Sequence, residues 1–226
     1  MSTGLLEWFS GTQKEKEEDG FGIAPGVVTD NFNVLSEARV QVHMSAFPDM
    51  DPWARVVGIG GGSGRGFLWV PQIDDEVLVA FNKNDHRDAY IIGGLWSTLN
   101  RPPALIPTDF VTKRILQTGL MDSPLGHSIV FDDALQSITI TTSTQQTIKM
   151  SPTQIQIGTV GGVLQITLGV TPPGIQIQAT AGNLSLSAPA GNITITGANV
   201  SIQSTGSTSI SSSGIVSVAG SQIMLN

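Results

Sequence analysis

Asn183-Leu184-Ser185-Leu186-Ser187, Asn192-Ile193-Thr194-Ile195-Thr196 and Asn199-Val200-Ser201-Ile202 set the pattern for the second half of this chain. In each, Ile, Leu or Val alternates with Ser or Thr, the period-two signature of a strand with one dry face and one wet face. Upstream, the same alternation runs through Ser137-Ile138-Thr139-Ile140, Ile155-Gln156-Ile157, Leu164-Gln165-Ile166 and Ile175-Gln176-Ile177. Gly, Pro and Asn interrupt it every seven to eleven residues, as at Pro172-Pro173-Gly174, Ala181-Gly182-Asn183 and Gly191-Asn192. From Ala134 to the last residue, 93 positions, the only charged side chain is Lys149 and there is no aromatic residue. The stretch reads as a rod of short stacked strands.

The first 133 residues are different. They hold all 18 acidic residues, 10 of the 11 basic ones, and every Phe, Trp and Tyr, as an acidic soluble domain would. That charge balance argues against a binder of phosphate backbones, which needs clustered Lys and Arg to release counterions. With no Cys, the chain has neither disulfides nor thiolate metal sites. No apolar run of about 18 residues offers a membrane-spanning helix, and residues 1–9 lack the basic and apolar regions of a secretory signal.

Four segments follow. Residues 1–20 read as a leader, with Leu5, Leu6, Trp8 and Phe9 clustered ahead of the charged run Lys14 to Asp19. Residues 21–100 read as a collar domain of five strands near 26–29, 38–44, 53–57, 76–81 and 89–95, a small barrel of the oligonucleotide/oligosaccharide-binding (OB) kind. Residues 101–136 read as a junction with two strands, and residues 137–226 as the needle-like array.

The barrel half carries a resemblance. Trp53-Ala54-Arg55-Val56, a Gly-rich loop, Pro71-Gln72-Ile73-Asp74-Asp75-Glu76-Val77-Leu78-Val79-Ala80-Phe81 and Tyr90-Ile91-Ile92-Gly93 follow one another in order. After them come Gly126-His127-Ser128-Ile129-Val130-Phe131-Asp132-Asp133 and the first repeat. The series resembles the central spikes of contractile injection systems, the family of phage baseplate assembly protein V and the VgrG spikes of type VI secretion. That resemblance implies an all-β homotrimer, with three OB barrels as a collar and three C-terminal segments as an intertwined triple-stranded β-helix. It implies a spike that caps the tube at the baseplate and pierces the target envelope when the sheath contracts. The expected location is the tail baseplate of a virion or a phage-like particle assembled in the cytoplasm. With only about 20 residues ahead of the barrel, a hub or tube-end protein is expected as a separate partner.

Elementary physics favours several chains over one. A lone chain of short alternating strands cannot cover its aliphatic row or its strand edges. A one-chain solenoid needs a fixed repeat length, whereas here the steps are uneven. Three copies would share a dry axial core of Ile138, Ile140, Ile155, Ile157, Leu164, Ile166, Ile175, Ile177, Leu184, Leu186, Ile193, Ile195, Val200 and Ile202. At about 4.7 Å per strand, eleven strands would reach about 50 Å, beyond the roughly 30 Å of a hydrocarbon core. Scarce charge suits transient passage through lipid, where each unpaired ion costs several kcal/mol.

No catalytic set or cofactor site is expected. His43, His86 and His127 have no metal-ligand spacing, and His127 suits a hydrogen-bonding role at the junction. Some family members end in a His-x-His iron site; this chain has no His beyond His127. Its end, Ile223, Met224, Leu225 and Asn226, is expected to dock a separate tip protein of the PAAR kind. The loop from Gly58 to Gly66 lacks the Gly-Lys-Ser/Thr ending of a phosphate loop and reads as a hairpin at the collar. Asp49, Asp51, Asp74, Asp75 and Glu76 read as turn acids, not Ca²⁺ ligands, and Asp132-Asp133 as junction-orienting. Two other readings stand beside the spike: a monomeric β-solenoid binding carbohydrate or ice, and an OB nucleic-acid binder stacking bases on Trp53, Phe67 and Trp69.

Overall fold

Arg39-Val40-Gln41-Val42-His43 shows how the barrel is made: Val40 and Val42 are fully buried, and the polar residues between them face outward. In the computed structural model, which describes residues 22–32, 37–83, 85–104, 106–119 and 126–224, this is the second strand of five. They are β1 (Ile23–Asp30), β2 (Arg39–His43), β3 (Trp53–Val56), β4 (Glu76–Asn82) and β5 (Asp85–Leu95). They close in the order β1-β2-β3-β5-β4, with β3 and β5 parallel and every other pair antiparallel. The core is Ala24, Val28, Val40, Val42, Met44, Ala54, Val77, Val79, Phe81, Ala89 and Ile91, drawn from all five strands and the residue after β2. Phe47 packs edge-on against Phe81 to cover one side. The expected leader, and Leu225 and Asn226, lie outside the described residues.

A short helix, α1 (Pro107–Thr112), follows, with proline in its first turn, where the missing N–H costs nothing. The alternation did not announce it. Seven strands then form one antiparallel meander: β6 (Lys113–Gln117), β7 (Ser128–Asp132), β8 (Ser137–Thr141), β9 (Thr147–Met150), β10 (Gln154–Gly158), β11 (Leu164–Val170) and β12 (Pro173–Ala179). The two strands expected at the junction are the first two of this sheet. Loops of unequal length absorb the uneven repeat, so the strands stay in phase. Asp132 closes the β7–β8 turn, its Oδ1 accepting the Leu135 N–H at 2.9 Å.

The chain divides after Gly182 into two units. Within the second, residues 183–224 keep the alternating pattern but have no strand pairing in their own chain. An isolated strand has no hydrogen-bond ladder to hold it.

Candidate functional site

Register places most aliphatic residues of the sheet in two unbroken rows on one face; Ile115 and Val130 pair on the other face, ahead of Thr139. Leu116, Ile129, Ile140, Ile148, Ile157, Ile166 and Ile177 are successive cross-strand partners from β6 to β12. Beside them run Phe131, Ile138, Met150, Ile155, Leu168 and Ile175, again each opposite the next. Leu164 and Val170 extend the same face, two residues from Ile166 and Leu168 along β11. The one charged side chain on it, Arg114 opposite Phe131, donates to the carbonyls of Val111 and Lys113. On the other face Thr139, Lys149, Gln156, Thr167 and Gln176 form the matching polar row.

On two of these strands burial runs opposite to solubility. On β10 and β11 the Gln, Thr and Gly positions are half-buried while the aliphatic ones are exposed. Ile157 is 43% and Ile175 74% exposed. A hollow of about 380 Å³ lies on the aliphatic side, walled by Ile140, Ile148, Ile157, Leu164 and Ile166. Of the residues expected as an axial core, Ile138, Ile140, Ile155, Ile157, Leu164, Ile166, Ile175 and Ile177 are therefore brought to one face. Leu184, Leu186, Ile193, Ile195, Val200 and Ile202 stand exposed in the second unit, as do Ile223 and Met224. Sequence reading missed Leu116, Ile129 and Phe131 as members of the rows, although they alternate in the same way.

The remaining polar groups are tied into structure. Lys113 Nζ reaches Asp109 at 2.8 Å and Asp132, its cross-strand partner, at 4.0 Å, fastening α1 to the start of the sheet. The bond to Asp109 holds the Lys113 amine above its ordinary range. His127 donates its N–H to Thr118 Oγ1 at 2.9 Å, and its Nδ1 accepts the Ser143 N–H at 3.3 Å. In the glycine loop a bridge joins Gly62 and Arg65, and the N–H groups of Gly61, Gly62 and Arg65 bond to carbonyls of the loop. Those N–H groups are not left to cradle a phosphate. Among the described residues no group of three His, Cys, Asp or Glu could hold a metal, and no helix is long and apolar enough to cross a membrane.

On the barrel exterior Arg55 lies over the Tyr90 ring, 4.5 Å from its centre, and bonds Asp88 at 2.9 Å. Asn82 donates to the other Asp88 oxygen at 2.7 Å. The bonds from Asn82, Tyr90 and Arg55 hold the Asp88 carboxyl below its ordinary 3.8. The folded state thus keeps Asp88 ionised where the unfolded chain would protonate it. Its stabilising contribution is complete above about pH 4 and fades as pH falls through the lowered folded value. Melting curves between pH 5 and 2 are expected to show a steeper acid loss for the wild-type chain than for Asp88→Asn.

Comparison with known proteins adds an independent line. The family model of the type VI secretion system/phage-baseplate injector OB domain matches residues 24–96, the span of the closed barrel. The actin cross-linking toxin VgrG1 of Vibrio cholerae serotype O1 is 28% identical over 138 residues, covering 58% of this chain and 12% of that protein. The match thus spans a small part of the relative's length.

Proposed function

We propose, on the premise that residues 24–96 belong to the injector OB-domain family of phage baseplates and type VI secretion systems, that this VgrG-like chain is a structural, non-enzymatic spike acting as a homotrimer. The observation that carries the reading is the open aliphatic face of the sheet. Antiparallel sheets commonly keep one face wet, but the wet face is the polar one. Here one row crosses seven strands and its neighbour six, most of their side chains lie open, and an apolar expanse of that kind marks an interaction surface.

A second and third copy fit that surface best. Around a three-fold axis each row meets its own equivalents, so matching levels need no second sequence. Burying an Ile, Leu or Val contributes about 1.5–3 kcal/mol. The rows then favour association by a wide margin, even after ordering entropy is subtracted. Lys149 lies on the polar face and remains outside such a prism. Over residues 183–224 the alternating segments, unpaired in one chain, find their ladders on the other two copies, so the chains wind about one another.

The needle so formed is stiff and almost uncharged, which suits passage through an envelope on sheath contraction. Its partners are a hub or tube-end protein at the collar and a PAAR-like tip protein at Ile223 to Asn226. Its place is the baseplate of a contractile tail or phage-like injection particle. Light scattering of the purified full chain tests this. The expected mass is close to three times 23.7 kDa, retained on warming and in mild detergent. A well-folded single copy of 23.7 kDa would end the proposal.

A further inference from the structure

The barrel carries a concavity that the spike reading does not use. It measures about 360 Å³, within the range of about 300–1,000 Å³ typical of small-molecule sites. Strand alternation makes part of it: Val40 and Ala54 point into the core, so Arg39 and Trp53 face outward from β2 and β3. The connection between those strands adds Asp49 and Asp51, and the start of β5 adds His86 and Arg87. Several of these groups are held in place. Arg39 Nε bonds Glu37 at 2.6 Å, Arg87 Nε bonds Asp85 at 3.1 Å, and one oxygen of Asp51 meets His43 Nδ1 at 2.9 Å.

We propose that this concavity binds a neutral saccharide, with Trp53 as the platform for one sugar ring. Two guanidiniums and two carboxylates line it beside the His86 imidazole, with Met50 and Pro52 next to Trp53, so the full charges of the lining balance. A polyanion gains little from a balanced lining, because its affinity comes from clustered cations. A purely apolar ligand would strip water from four charged groups and return nothing to them. A sugar satisfies both demands. Its C–H face covers an indole, and each hydroxyl can donate to Asp49 or Asp51 while accepting from Arg39 or Arg87. Barrels with this strand order present the β2–β3 surface to ligands, oligosaccharides among them.

The test uses the full chain with maltotetraose, cellotetraose and chitotetraose, read by saturation-transfer NMR and calorimetry. At least one is expected to bind, with little dependence on salt. Trp53→Ala is expected to weaken that binding about tenfold, the equivalent of one aromatic stacking contact. Arg87→Ala is expected to weaken it about threefold without moving the melting temperature, since that side chain is 80% exposed. Binding of none of the three sugars overturns the site, as does unchanged affinity in both variants. Salt-sensitive binding of oligodeoxythymidylate without sugar binding also overturns it. A trimer that binds no sugar would sink this site alone, while a sugar-binding monomer would sink the spike alone.

Discussion

A chain carrying Ile157→Asp is expected to lose its trimeric mass and run as a single copy. Ile157 stands mid-row between Ile148 and Ile166 on the aliphatic face. It is 43% exposed in one chain, so a lone sheet tolerates a carboxylate there at modest cost. Assembly changes that account. Three copies would bring three carboxylates to one level of the axis and lose three buried isoleucines, each worth about 1.5–3 kcal/mol. Removing an unpaired ion from water costs several kcal/mol per copy, and like charges in a dry core repel as well. The sum exceeds what one rung of the prism contributes. Gln156→Asp is the matched comparison, one residue away on the polar face opposite Lys149 and Thr167. It should keep the trimer mass and the heat resistance. If both variants scatter light as trimers, the aliphatic rows are not the axial core.

The two halves were legible to different degrees, and for a physical reason. In the barrel, alternation and burial agree: Val40 and Val42 of β2, and Val77, Val79 and Phe81 of β4, point inward as their period predicts. Strand existence could therefore be read directly, and the number and spacing of the strands pointed to a small barrel, whereas their order around it came only with the structure. In the sheet, alternation placed the strands but not their partners. The spacing from Ile140 to Ile148, Ile157, Ile166 and Ile177 looks irregular along the chain, which argued against a one-chain stack. Antiparallel hairpins remove that objection over Lys113–Ala179, because a turn of any suitable length returns the next strand in phase. The helix Pro107–Thr112 escaped notice because six residues are too few for a 3.6-residue period to emerge. The concavity at Trp53 joins residues from 39 to 87 through closure of the barrel, so no local pattern could mark it. Past Gly182 the pattern persists without pairing, and there sequence and a single chain carry the same information.

Gly26→Val is expected to lower the melting temperature of the barrel by at least about 5 °C. Gly26 is a buried position of β1, between Ala24 and Val28, which both face the core. Space, not backbone freedom, demands glycine here. A Cβ at Gly26 would lie 2.4 Å from Val42 Cγ1, 2.9 Å from Met44 Cγ and 3.0 Å from the His43 carbonyl oxygen. Val42 and Met44 are fully buried and have no room to turn aside, and the carbonyl is part of the β2 backbone. Overpacking of this kind costs about 1–3 kcal/mol, and for a domain of this size each kcal/mol moves the midpoint by about 4–8 °C. Gly93→Ala supplies the contrast on β5, where nothing stands within 4 Å of the added carbon. It should leave the midpoint nearly unchanged. Scanning calorimetry of the two variants separates the explanations. Equal melting would mean that β1 can slide away from β2 at Gly26, and that the barrel closes less tightly along that seam than Val42 and Met44 imply.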